Sequence, residues 1–170
     1  GVSSNYVHEP LTQAVSSGKW YVEFCINTLS SDSNMFVGVG NEAGVMTDRS
    51  NPEANTKTVA LQANGQAYKD GSTTTSHSSG AYSAGDIVGI SLNLDDNEVK
   101  FFINNAAFTL TTSITGGGDL WTFWINTWNP EAATLNTGQD SSFAGAKTAQ
   151  GNTDANGKGD FYYTPPSDHL

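Results

Sequence analysis

Between Gly85 and Asn105 the hydrophobic and polar positions spell out a β-hairpin. Gly85-Asp86 supplies a turn, the apolar run Ile87 to Leu94 a strand, and Asp95-Asp96-Asn97 the reversal; Val99, Phe101 and Ile103 then alternate along a returning strand that stops at Asn104-Asn105. A second strong strand runs from Trp20 to Leu29. Trp20, Val22, Phe24 and Ile26 share one face, and Tyr21, Glu23, Cys25 and Asn27 the other, so the first set is expected to point inward. The weakly patterned segment Val2 to Val15 can supply an edge strand. Asn41 to Thr56, polar and carrying Pro52, reads as a long loop with a helical turn. Thr58 to Ala63 resumes as a strand, turns at Asn64-Gly65 and returns through Gln66 to Lys69, after which Asp70-Gly71 reverses the chain again. Ser72 to Ser79, a Ser/Thr run around His77, has too little apolar content to pack and is expected to be a solvated loop. In Leu120 to Trp128 the residues Trp121, Phe123 and Ile125 alternate with Thr122, Trp124 and Asn126. One face joins the core, and the other carries a Trp that needs an explanation.

Composition fits one all-β domain over residues 1–170. Glycine is abundant, charged residues are few, and Ser, Thr, Asn and Gly fill the spaces between apolar runs, as many short strands and tight turns require. No apolar run reaches the roughly 18 residues of a membrane span, and no basic-then-apolar leader opens the chain, so neither membrane insertion nor a signal peptide is expected. The formal charge is −10 with only seven Lys and Arg, scattered, which argues against a nucleic-acid partner. The lone Cys25 lies within an apolar strand and reads as a small buried residue that leaves the redox compartment open.

The hairpin resembles the signature of the SPRY domain, with its Gly-Asp before one strand, acidic turn, and aromatic followed by Asn. Ser17-Gly18-Lys19-Trp20-Tyr21-Val22-Glu23-Phe24 is similar to the family's opening strand, and Met35-Phe36-Val37-Gly38-Val39-Gly40 to the one that follows. Ala133-Thr134-Leu135-Asn136-Thr137-Gly138-Gln139 and Phe161-Tyr162-Tyr163-Thr164-Pro165-Pro166-Ser167 resemble its closing segments, the last especially as seen in bacteriophage virion proteins. The chain departs from the family at Asn93, often Asp in relatives, at Thr137, often aromatic, and in an apparent loop insertion over 140–160. The resemblance implies a two-sheet antiparallel β-sandwich of concanavalin-like jelly-roll type without catalytic activity. It also implies a module of a phage tail or capsid that meets a host-surface glycan or protein, or other virion proteins, in a virion or extracellular setting. An intracellular domain capturing a short peptide, in the cytoplasm, is the alternative, and a virion decoration with no ligand a further one.

The residues offer little chemistry for catalysis. The three histidines, His8, His77 and His169, stand in polar or terminal contexts, none belongs to a nucleophile motif, and His77, within a Ser/Thr run, is expected to be solvated. Asp95 and Asp96 lie at a hairpin tip, where they serve as turn formers rather than as a glycosidase pair. Asn152, Asp154, Asn156 and Asp160 alternate with a Gly at the sixth position, similar to the start of a calcium loop, but Tyr163 stands where a bidentate Glu belongs. A plain Gly/Asn-rich insertion is the competing reading. For binding, Trp128 beside Asn126, Asn129 and Pro130 combines a stacking face with amide hydrogen bonds, and Tyr68 and Trp124 are further candidates. A partly buried Trp closing the sandwich end remains the alternative for Trp128.

Overall fold

The computed structural model describes residues 6–41, 45, 56–114 and 119–170, without the side chains of 6, 73–79 and 108–113. Its strands are β1 (Tyr6–Pro10), β2 (Lys19–Thr28), β3 (Phe36–Asn41), β4 (Thr58–Gln62), β5 (Asn64–Lys69), β6 (Ser72–Ala81), β7 (Ile87–Asn93), β8 (Glu98–Ile103), β9 (Ala106–Ser113), β10 (Trp121–Trp128) and β11 (Ala132–Asn136). They form two antiparallel sheets, ordered β1-β10-β3-β4-β5-β6 and β11-β2-β7-β8-β9. The expected all-β, two-sheet architecture is therefore what the chain adopts.

Alternation builds the core. Val22, Phe24 and Ile26 of β2 and Val88, Ile90 and Leu92 of β7 meet Val37 and Val39 of β3, Leu61 of β4, and Trp121 and Phe123 of β10 in one buried cluster. Each such side chain contributes about 1.5–3 kcal/mol on leaving water. The hairpin is punctuated as its sequence requires. Asn104 and Asn105, at φ 49° and 68°, make the two-residue turn from β8 to β9, a conformation that Asn tolerates. Asp86 ties this turn back to the start of β7: its Oδ1 accepts from Asn104 Nδ2 at 2.7 Å, and Ile87 N donates to Asn104 Oδ1 at 3.0 Å. At the other end Asp95 Oδ1 accepts from Gly18 N at 2.9 Å, fastening the hairpin tip to the entry of β2.

Two expectations are corrected. Ser72 to Ser79 is not a loop but most of β6, the edge of the six-stranded sheet. Backbone pairing to β5 suffices there, and an edge strand packed on one side can be polar. Of the histidines, His8 and His169 are only 8% and 6% exposed. The His77 side chain and most of the loop from Asn41 to Thr56 lie outside the described residues. The second face of β2 is covered as well: Tyr21, Glu23 and Cys25 are buried, Cys25 as its sequence context indicates, and Phe143, Tyr162 and Tyr163 pack with Cys25 and Ile87. The segment over 140–160 thus belongs to a strap laid across the outer face of the five-stranded sheet. Finally, Trp124 is wholly buried, on the outer face of its own sheet.

Candidate functional site

That outer face carries most of the binding candidates. Odd positions of β10 point into the core, so Trp124, Asn126 and Trp128 share the opposite side. Trp124 lies in register with Gly38 of β3, Ala60 of β4 and Tyr68 of β5, while Asn126 faces Phe36, which faces Gln62. Trp124 can lie flat there because Gly38 has no side chain: a Cβ would stand 2.8 Å from the indole and 2.5 Å from the Val59 carbonyl. Phe36, Val45, Ala60 and Trp124 bury one another with Tyr68 alongside, and the His8 ring meets Trp124 edge-on at 5.3 Å. Trp124 is therefore the floor of the surface and cannot be a direct contact, because no part of it reaches solvent.

Around that floor are half-buried aromatics and amides. Tyr68 packs edge-on against Phe36 at 5.6 Å, and its hydroxyl bonds Gln62 Oε1 at 3.2 Å and Gln66 Oε1 at 2.9 Å. Gln62 Nε2 in turn donates to Ser33 O and Asn34 Oδ1. Trp128 is half-buried at the end of β10 and Asn129 is exposed. Asn126 is only 1% exposed, and its Oδ1 has no hydrogen-bond partner among the described residues. Tyr68 and Trp128 thus flank a band of sheet three strand spacings wide, about 14 Å. This is wide enough for a short extended ligand and carries no charged side chain from the registered positions.

Glu131 fixes one end of the band. Nearly buried, it accepts from Ser30 Oγ at 2.6 Å and Asn34 N at 3.2 Å through Oε1, and from Trp128 N at 2.8 Å through Oε2. One carboxylate therefore holds the loop before β3 against the turn after β10, which includes the cis Asn129-Pro130 bond. Glu131, Gln62, Gln66 and Phe36 were not legible as site residues in the sequence. Ser30 and Asn34 stand 101 and 97 positions from Glu131, and no local pattern marks such a partnership.

The calcium candidates lie elsewhere, in the strap. Asp154 Oδ1 accepts from the backbone amides of Asn156 and Lys158, both at 2.8 Å, while Asn152 donates to Tyr162 O and accepts from Thr164 Oγ1. Asp154 Oδ1 is thus engaged in its own turn and Asn152 with Tyr162 and Thr164. Asn156 is exposed, Asp160 Oδ1 is buried without a partner, and no group of three or more His, Cys, Asp or Glu that could hold a metal is found among the described residues. Asp95 and Asp96 are likewise occupied, Asp95 by Gly18 N and Asp96 by Asn93.

The strap is anchored by Glu23, a fully buried carboxylate. Its oxygens accept from Tyr163 N at 2.8 Å, Tyr162 N at 2.9 Å, Asn136 Nδ2 at 3.1 Å and the Tyr21 hydroxyl at 3.4 Å. Burial raises its pKa above the ordinary 4.5, and these donors only partly offset the rise. Burial, then the facing Glu23, push the Tyr21 phenol well above its ordinary value.

Residues 19–140 match the family model of the SPRY domain. Among solved structures, the SPRY domain of human HERC1 is similar at 16% identity and TM-score 0.60, over 77% of this chain and 79% of that one. A second human SPRY domain is similar at 15% identity and TM-score 0.62, over 79% and 86%. No curated protein sequence matches. Among the described residues no helix is long and apolar enough to cross a membrane.

Proposed function

Because this chain belongs to the SPRY domain family, a family of protein-interaction modules, we propose that it is a non-catalytic recognition module whose contact surface is the Trp128–Tyr68 face of the six-stranded sheet. The supporting observation is the composition of that face: half-buried aromatic rings at both ends, the amides of Gln62, Gln66 and Asn129 between and beside them, and a rigid floor at Trp124. Rings to stack on and amides to direct hydrogen bonds suit an uncharged polar ligand. In our reading the ligand is a glycan or protein on a host surface, met by a bacteriophage tail or capsid component that carries this domain. The same face suits a neutral, amide-rich peptide, which is the intracellular alternative.

Glycan and peptide arrays probed in parallel with wild type, Trp128→Ala and Tyr68→Ala test the proposal. Specific binding on either array that both variants lose supports the face, and the array that responds decides between the two ligand classes. Binding retained in both variants, or two blank arrays, sinks it.

A further inference from the structure

Along one side the sandwich does not close. β1 edges one sheet and β11 the other, and between them runs a trough of three adjoining cavities of about 450, 260 and 280 Å³. The first shares Leu11 with the second, and Glu9, Ile125 and Ala133 with the third, so the three lie side by side. The floor is the core seen from its flank, chiefly Phe24, Ile125 and Leu135. Val7 and Leu170, large hydrophobics left 50% and 36% exposed, line the outer two cavities. The first cavity is mainly apolar and the outer two mix polar with apolar walls, and a groove of that kind with exposed hydrophobics at both ends is a surface that a partner covers.

Two observations specify the partner. Thr134 and Asn136 face Cys25 and Glu23 in register, and Ile26 bonds instead to Gly85 and Asp86 on the other side of β2. The backbone of Ala133 and Leu135 therefore turns toward the open edge, where Gln139 Nε2 already donates to the Leu135 carbonyl at 2.8 Å. The edge can accept a strand. In addition, every charged residue lining the trough, among those described, is acidic: Glu9, Glu131 and Asp154. Glu131 is spent on its loop clamp and Asp154 Oδ1 on its own turn. Glu9 is exposed, and its carboxylate has no hydrogen-bond or ion-pair partner among the described residues.

We propose that the trough binds an extended partner peptide that pairs with the open edge of β11, lowers alternate apolar side chains onto Phe24 and Ile125, and presents a Lys or Arg to Glu9. A second copy of this chain is a poor occupant, since its formal charge of −10 would meet the same sign at the trough. The trough opens on the flank of the sandwich and touches the Trp128–Tyr68 face at Glu131.

The test uses fluorescein-labelled peptides about eight residues long, enough to overhang β11, alternating Val and Thr with one central Lys. A matched peptide has Glu in that position, and another is N-methylated along one edge. Anisotropy is read against wild type, Glu9→Lys and Trp128→Ala, with thermal melts confirming that the variants fold. The Lys peptide binds wild type about fivefold tighter than the Glu peptide, Glu9→Lys reverses that order, methylation of the pairing edge abolishes binding, and Trp128→Ala binds like wild type. No binding by the Lys peptide overturns the proposal, as does binding indifferent to Glu9→Lys or to methylation. A concentration-dependent dimer in sedimentation that the peptide displaces overturns it in favour of a second copy.

Discussion

Replacing Glu23 with Gln loosens the strap at its anchor. The carboxylate presents acceptor lone pairs on both oxygens, one to Tyr163 N at 2.8 Å and the other to Tyr162 N at 2.9 Å and Asn136 Nδ2 at 3.1 Å. A carboxamide accepts on one side only, so Glu23→Gln aims an NH2 donor at a part-buried backbone N–H. Losing one charge-assisted hydrogen bond and orphaning one buried donor costs about 2–4 kcal/mol together. For a domain of this size that lowers Tm by about 5–15 °C. Thermal melts followed by circular dichroism measure the shift, and hydrogen exchange shows whether protection falls at Tyr162 and Tyr163 while the β7–β8 hairpin keeps its own. A Tm within about 2 °C of wild type, with both amides still protected, refutes the anchor.

The same residue has a pH signature. Its folded pKa lies above 4.5, so between that raised value and 4.5 the native state binds the proton more readily than the unfolded chain. Its contribution to stability is fully present below 4.5 and is lost as pH rises through the folded pKa. His169 acts in the opposite sense. Burial lowers its pKa below 6.5, so stability is lost as pH falls from 6.5 through the folded value. The two slopes oppose each other wherever the windows overlap, and the difference between wild type and Glu23→Gln isolates the carboxylate. Glu23→Gln removes the component that weakens with rising pH; an unchanged difference from pH 4 to 7 contradicts the assignment.

The remaining predictions address the binding face and the hairpin. Trp124→Ala, which empties the buried floor, costs about 3–5 kcal/mol in denaturant melts, whereas Trp128→Ala costs under about 1.5 kcal/mol; equal losses would contradict their different burial. Gly38→Ala forces a Cβ to within 2.5 Å of the Val59 carbonyl and lowers stability by more than about 2 kcal/mol, which an unshifted melting midpoint would disprove. Asp86→Ala and Asn104→Ala break one shared clamp, so a double-mutant cycle yields a coupling of about 0.5–2 kcal/mol, and additive effects would show that the clamp does not act as a unit. Glu131→Gln leaves the core intact but unpins the loop at Ser30–Asn34, raising its hydrogen exchange severalfold; unchanged exchange there refutes the tie.

Local pattern determined a good deal about this chain. Alternation alone identified the inward faces of β2, β8 and β10, because side chains in a strand alternate between faces and apolar ones must leave water together. Asp86, Asp95 and Asn104-Asn105 marked turns because short polar side chains satisfy the backbone within a few residues and tolerate positive φ. These are local properties, and local sequence carries them. It carried the binding residues only in part: Trp128 and Tyr68 stand out as aromatics near turns, but whether a ring is a contact or a floor depends on what lies above it. Trp124 is wholly buried because Gly38 of β3 opens space beneath it and Val45, between β3 and β4, packs alongside. Ser72 to Ser79 became β6 because a partner strand supplied hydrogen bonds that its composition did not suggest. Glu23 and Glu131, buried carboxylates among the described residues, owe their anchoring roles to donors about a hundred or more positions away. Such contacts follow from the order of strands in two sheets, and only the tertiary structure brings them together.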